Sequence, residues 1–395
     1  MTDSPATVQF QPYKGLSGLE QLLPEWLELL QSMPDARFIH YPEWYRAYLK
    51  SLAPDRSRVW FVAARRDGRL VGILPLEFRV FTLGAFRAPV VGTIDDDQMQ
   101  LSDFIFTRCE ENADLLYRLT QWLRQQPGPR WSELRLRKVA ADSCLAYSAG
   151  HKLPSWTLTV QHARSNYFLT DKPYDEAMAA LSAKFRSNLR RRNRIAEESA
   201  PLRLAIYSEP NDLAEGFRHF LDLEASGWKG VGGTSSAINC QPRLLEFYET
   251  LVQQFGRGGH CAINVLWHGD QPVAGQLCVR IGRTLNILKV GFSEAHAKFA
   301  PGLLLLERVT RNACEDPDTD VVHLVNDPSW ATFFRPLGHG VRSYCAPAWS
   351  LGGLCVHLGL LAKRKWGHVQ SDGSDADFTA SKPGREPHQG PSLEA

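Results

Sequence analysis

The 395-residue chain has no apolar run approaching the roughly 18 residues that a membrane-spanning helix needs. It has almost no excess of charge: 45 Lys and Arg stand against 43 Asp and Glu, a net of +2. That balance speaks against bulk binding of DNA or RNA and leaves only local patches to consider. It has no C-x-x-C pair. The eight cysteines (Cys109, Cys144, Cys240, Cys261, Cys278, Cys314, Cys345 and Cys355) are scattered, several of them inside apolar runs such as "GQLCVRI", with no histidine cluster beside them. The pattern argues against a disulfide framework and a zinc site and suits a reducing cytoplasm. The first residues, "MTDSPATVQFQPY", lack an apolar signal segment. What is present, 44% hydrophobic and 10% aromatic residues, can fill a large core in two or three domains. A soluble cytoplasmic protein is expected.

The main internal signal is a repeat. "VWFVAARRDGRLVGILPLEFR" (59–79) and "CAINVLWHGDQPVAGQLCVRI" (261–281) each read as strand, tight turn, strand. An amphipathic helix precedes each, "PEWYRAYLKSL" and "QPRLLEFYETLVQQF". A strand, a helix and a closing strand follow: "LSDFIFT", "ADLLYRLTQWLRQQ" and "WSELRLRKV" in the first half, "LNILKVGF", "PGLLLLERVTRNACE" and "DVVHLVN" in the second. The last three elements form a βαβ unit, so part of each sheet should be parallel. Self-similarity at so long a period predicts duplicated α/β domains with mixed sheets rather than a solenoid.

Between the halves, 174–200 reads as helix throughout, with Leu181, Phe185 and Leu189 as its apolar stripe. It carries Lys184, Arg186, Arg190, Arg191, Arg192 and Arg194 with no acid among them. Like charges this dense point to a nearby anion, with Ser187 and Asn188 as further donors, or to a solvated face balanced by Glu197 and Glu198. The acids of "TIDDDQMQLSD" (93–103) read as a loop rather than a metal site. The expected organisation is an N-terminal half (1–160), a basic helical segment (161–200), a catalytic half (201–350), an amphipathic helix (351–370) and a disordered tail (371–395). Lys363, Arg364 and Lys365 make 350–366 a candidate for peripheral membrane contact.

Three places carry candidate chemistry. In "GFSEAHAKFAPGL", Pro301 and Gly302 open a helix whose first amides have no internal partner, so Pro301, Gly302 and Leu303 form a possible phosphate cradle. In "LEASGWKG", Glu224 and Trp228 share one face if the segment is helical. A carboxylate beside a large aromatic is a candidate general base, and Trp228 and Lys229 would contact substrate. His323 and Asp327 stand at the carboxyl end of a predicted parallel strand, where ligands of open α/β sheets gather. A helix C-terminus and a satisfied core histidine are the structural alternatives.

Four segments in this order, "SAKFRSNLRRRNR" (182–194), "FLDLEASGWKGVGGTSSAI" (220–238), "PVAGQLCVRIGRTLNILKVGFSEAHAKFAPGLLL" (272–305) and "LVNDPSWATFFRPLG" (324–338), resemble the GNAT acyltransferase superfamily. More narrowly they resemble tandem-GNAT, CelD-like (cellulose-biosynthesis-like) acetyltransferases, relatives of the Fem-type aminoacyltransferases. "YPEWYRAYL" and "DGRLVGILPL" extend the likeness more weakly, so that it spans roughly 35 to 350. The resemblance implies two GNAT-like domains, the first of them a candidate degenerate scaffold, and acetyl-CoA or another acyl-CoA as co-substrate, with no metal. It places Lys289, Val290, Gly291 and Phe292 beside the thioester arm; Lys184, Arg186, Asn188, Arg190, Arg191, Trp228, Lys229 and Trp330 are the candidate substrate contacts. The acceptor would be the amine or hydroxyl of a sugar, envelope or exopolysaccharide precursor. The chain departs from the family pattern in its short "HAKFAPG" loop, in Phe299 where relatives often carry Tyr, and in Ala331 where a Lys often follows the aromatic. An aminoacyl-tRNA donor, which the modest net charge disfavours, and a non-catalytic accessory role stay open.

Overall fold

A computed structural model describes residues 8–348 apart from 84–85, 128–129 and 153–156, together with 350, 352–355 and 358. The proposed C-terminal amphipathic helix beyond 358, its basic residues and the tail lie outside the described residues. In chain order the elements are β1 (Val8–Lys14), α1 (Gly15–Gln31), α2 (Pro42–Ser51), β2 (Val59–Arg66), β3 (Arg69–Leu83), β4 (Phe86–Gly92), α3 (Leu115–Gln125), β5 (Glu133–Ala140), α4 (Cys144–Lys152) and β6 (Leu158–Leu169). Then come α5 (Tyr174–Ala179), α6 (Ala183–Glu197), β7 (Leu202–Tyr207), α7 (Leu213–Ala225), α8 (Pro242–Arg257), β8 (Cys261–His268), β9 (Gln271–Ile281), β10 (Thr284–Phe292), α9 (Pro301–Glu315), β11 (Val321–His323) and β12 (Leu337–Pro347).

The strands join in one mixed sheet, in the order β1-β2-β3-β4-β5-β12-β6-β11-β10-β9-β8-β7. The order is palindromic about the β12–β6 contact. Read inward from either edge, each half contributes five strands, and each half's sixth strand pairs with the other half. β12, from the end of the described chain, pairs with β5, while β6 pairs with β11. The two exchanged strands lie antiparallel to each other, from Leu337↔Tyr167 to Cys345↔Leu158. The expected parallel steps are present at β4–β5 and β10–β11.

The repeat is longer than the sequence suggested, because β1 and α1 match β7 and α7. The helices α2 and α8, equivalent in the two halves, pack on each other. Trp44 meets Phe247 edge-on at 5.6 Å, and Arg243 donates to the carbonyls of Ser51 (2.8 Å) and Leu52 (2.5 Å). A single apolar cluster on this face runs from Trp26 and Phe61 in one half to Tyr248, Phe255 and Leu277 in the other. The other face carries separate clusters for each half.

Two expectations need correction. "LSDFIFT" is not a strand but makes two isolated bridges, Ile105 to Ile73 and Ser102 to Val139. β4 occupies the place between β3 and β5 that this segment was expected to fill. Pro89 in "FRAPVVG" argues against a strand; it falls outside Val90–Gly92, the residues paired with β5, so no bond on that side loses a donor. The basic segment is not one helix. It breaks at 180–182, where the Ser182 side chain accepts from the Phe185 N–H and caps α6.

Candidate functional site

Beyond the β9–β10 hairpin the sheet opens. β10 and β11 pair at only three positions, ending with Asn286↔His323, and then part. From that point β10 continues through an irregularity between Ile287 and Lys289 to an exposed end, with Phe292 44% exposed. A turn over Glu294–Phe299 leads to Ala300, which takes a left-handed conformation (φ 52°) and launches α9. Pro301 has no amide, and Leu303 and Leu304 donate to Ala300 O. Gly302 faces open space: a Cβ there would meet only Phe292 Cδ1, at 3.8 Å. The first turn of α9 thus offers the positive end of a 15-residue helix at the mouth of the splay, with open space beside Gly302.

On the α7/α8 face of β10 lies a polar cluster. Glu224, in the last turn of α7, is buried; its Oε1 accepts from Lys229 Nζ at 3.1 Å and its Oε2 from the Ile238 N–H at 2.8 Å. α7 reaches β10 this closely because residue 291 is glycine: a Cβ there would lie 2.8 Å from the Glu224 backbone. Lys289 Nζ sits 5.7 Å from the Tyr248 ring centroid. Burial first, then the charge of Lys229, lowers its pKa from 10.5 to about 8 against the pull of Glu224 and Asp97. The first half closes this cluster. Tyr248 donates to Gln98 Oε1 at 2.7 Å, Asp96 Oδ1 accepts from the Gln98 N–H, and Lys138 Nζ donates to Asp96 O at 3.3 Å. Burial, above all, raises the pKa of Tyr248 and of Asp96, and lowers that of Lys138.

The expected pairing of Glu224 with Trp228 is not formed. α7 stops at Ala225, so the two share no helix face. Trp228 is 60% exposed and its backbone N–H donates to Glu294 Oε1 at 3.2 Å, which ties its loop to the turn before α9. The neighbour of the carboxylate is the Lys229 ammonium instead.

His323 and Asp327 lie on the β6 side of the splay. His323 Nδ1 accepts from the Val325 N–H at 3.0 Å, and Nε2 faces Ser165 Oγ at 3.4 Å, whose hydroxyl donates to Val325 O. Burial first, then Arg37 and His339, push its pKa down to about 3. With both nitrogens engaged it is a neutral imidazole that braces the seam, stacked over Tyr167. Asp327 accepts from Asn166 Nδ2 at 2.5 Å. Val290 is half-buried beside Gly291, and Trp330 lies in the exposed turn Ser329–Phe334.

On the basic helix, Arg186 is spent capping α5, donating to Ala179 O and Leu181 O. Asn188 accepts from Arg192, whose guanidinium also reaches Lys298 O at 3.5 Å, so α6 leans on the turn before α9. Lys184, Arg190 and Arg191 are exposed. A groove of about 750 Å³ between α5, α6 and α9 mixes Arg186, Arg190, Arg194 and Arg308 with Glu197, Glu198 and Glu307, so its charge is nearly balanced.

Sequence reasoning missed Tyr248, Gln98, Asp96 and Lys138. The run of acids at 95–97 was visible, but its partners come from strands distant in sequence: Arg79 and Arg137 pair with Asp95 at 2.9 and 3.5 Å, and Lys138 reaches the Asp96 carbonyl. Among the described residues no group of His, Cys, Asp or Glu is arranged to hold a metal, and no helix is long and apolar enough to cross a membrane.

Residues 183–330 match the family model described as "Acetyltransferase (GNAT) domain". No curated protein matches the chain. Among solved structures, FemX superposes with a TM-score of 0.53 at 12% identity, covering 82% of this chain and 96% of that one. L-PGS from Bacillus licheniformis gives 0.50 at 12% identity, covering 86% and 96%. A tandem GNAT protein from the clavulanic acid biosynthesis pathway gives 0.44 at 15% identity, covering 87% and 99%. At 12% identity the likeness to FemX and L-PGS is one of fold, and with the family match over 183–330 it gives a GNAT-like, mixed α/β architecture.

Proposed function

We propose that the chain is an acyltransferase of the tandem-GNAT, CelD-like type, moving an acyl group, most simply acetyl, from acyl-CoA to an amine or hydroxyl. The acceptor we favour is a sugar or a precursor of the cell envelope or of an exopolysaccharide, and the compartment the cytoplasm. The catalytic unit is 201–350, with 1–160 as the wall that closes its acceptor side. The observation that carries this reading is the parting of β10 from β11 at the N-terminus of α9, where Gly302 leaves an open approach to the helix dipole. Gly302 and the neighbouring turn would hold the pyrophosphate, and Lys289–Phe292 would flank the thioester arm. Acyl transfer then asks little more than an oriented donor and a deprotonated acceptor.

Titration calorimetry of the whole protein with acetyl-CoA and longer acyl-CoAs tests this, alongside Gly302→Glu. The glutamate has room to fit, so the fold should survive while its carboxylate repels phosphate. Micromolar binding that the substitution abolishes is the expected result. No heat from folded protein with any acyl-CoA would sink the reading. The exposed Arg190 and Arg191 would then favour an aminoacyl-tRNA donor, recognised by strongly salt-dependent tRNA binding; an accessory protein would bind neither.

A further inference from the structure

We propose that Glu224 is a positioning residue: its carboxylate closes the neck of the loop 226–237 and so holds the Trp228 indole at the mouth of the splay, as a platform for a sugar ring of the acceptor. This rests on the acyl-transfer reading above. The loop, "SGWKGVGGTSSA", joins α7 to the turn Ile238–Cys240 that precedes α8. Its backbone folds back on itself. The Thr234 N–H donates to Trp228 O at 2.8 Å, and the Ala237 N–H to Lys229 O at 2.9 Å. The result is a compact loop with its ends close together, of the Ω type. Glu224 bridges that neck. One carboxylate oxygen accepts from Lys229 Nζ at 3.1 Å on the outgoing side, and the other from the Ile238 N–H at 2.8 Å on the returning side. Glu224 is buried, and charge-assisted bonds of this kind are costly to break away from water. In this role the carboxylate takes no proton during transfer.

The loop is also fastened to the donor side of the splay. Ser226 Oγ donates to Phe292 O at 3.2 Å, at the end of β10, and the Trp228 backbone N–H to Glu294 Oε1 at 3.2 Å. Gly227 permits that approach, since a Cβ there would lie 2.5 Å from Glu294 Oε1. Held from both sides, the loop still leaves Trp228 60% and Val231 86% exposed. Single exposed apolar residues are ordinary on a surface, but these two stand on a loop bonded to the strand proposed to flank the donor. An indole on a fixed backbone with its ring in water has a negative π face to offer and little freedom to lose. A pyranose presents such a face with polarised C–H groups while its hydroxyls stay solvated.

The test uses the full chain with Glu224→Gln, Glu224→Ala and Trp228→Ala. Glutamine keeps an oxygen for the Ile238 N–H but is no base; alanine keeps neither property. Hydrogen exchange over 226–238 should stay within ~3-fold of the parent in Glu224→Gln and quicken at least ~10-fold in Glu224→Ala, with α9 unchanged in both as the sign of an intact fold. Thiol release from acetyl-CoA is then followed with glucosamine as the probe acceptor. Glu224→Ala and Trp228→Ala should each raise the glucosamine KM at least ~10-fold with kcat within ~3-fold, and Glu224→Gln should restore KM and keep the parent's pH profile. A glutamine variant with kcat collapsed and the pH profile altered would make Glu224 the base and overturn the positioning role; this variant decides even where alanine does not fold. Loop exchange in folded Glu224→Ala equal to the parent's would overturn it as well. A KM indifferent to Trp228→Ala, or no turnover of glucosamine by a parent that binds acetyl-CoA, would overturn the sugar platform. Absence of acetyl-CoA binding in calorimetry would sink the transfer reading and the platform with it, an outcome distinct from all of these.

Discussion

Replacing Lys289 by Met should make the protein more stable at neutral pH. The folded chain holds this ammonium near a pKa of 8, whereas the unfolded chain releases it near 10.5. Between those values the unfolded state binds more protons, so stability rises with pH through that window. Below pH 8 the penalty is present in full, and above about 10.5 it is gone. That displacement corresponds to at most roughly 3 kcal/mol. Because the side chain keeps some solvent access, we take roughly 2 kcal/mol. Methionine has a similar volume and no charge to desolvate, so it recovers that amount at pH 7. For a chain of this length the gain is about 2–3 °C in Tm. Thermal or urea unfolding of both proteins at pH 7, 8, 9 and 10 provides the assay. The gap should be widest at pH 7 and shrink to a small remainder by pH 10. A variant less stable than the parent at pH 7, or a gap indifferent to pH, would refute the reasoning.

Two further outcomes are expected. Gly92→Ala should destabilise by on the order of 3 kcal/mol or more, because its Cβ would lie 1.7 Å from Arg135 O in the adjoining strand; soluble yield and Tm report it. Ellman's reagent at pH 8 should react quickly with the exposed Cys355, while Cys261, Cys278 and Cys345 wait for unfolding. Burial removes reagent access and raises those three thiols, Cys261 and Cys345 to about 12. Fast labelling of all eight in the native state would contradict the packing described.

The repeat was legible because its signals are local. Asp67 and Gly68 both take positive φ, 51° and 79°, as a type I′ hairpin requires. In the second hairpin only Gly269 does (φ 59°), as at the first position of type II′. The amphipathic helices and the Pro-Gly start of α9 are likewise written within a dozen residues. The seam was not. β6 and β12 are strands because of partners more than 150 residues away, such as Tyr167 opposite Leu337, and nothing nearby in sequence marks that pairing. The site fared similarly. Glu224, Lys229 and Lys289 could be singled out by residue type, but the proton affinity of Lys289 depends first on its burial, then on Lys229 and Glu224, and also on Asp97 and Lys138, which only the closed interface brings close. The helical face imagined for Glu224 and Trp228 failed because α7 ends three residues before the tryptophan.

The exchanged strands set the order in which the molecule can be finished. β6 is already made when β7 leaves the ribosome, but it borders β11 and β12, both synthesised later. Until β12 arrives, β5 and β6 each present an unpaired backbone edge, the kind of surface that recruits stray strands. A chain stopped before Leu337 would hold nearly every residue of the proposed site and still leave both edges open. Such a product is a candidate for pairing with a second copy of itself. The last strand is therefore a latch on quality: the two halves become one molecule only after nearly all of the sheet has been translated.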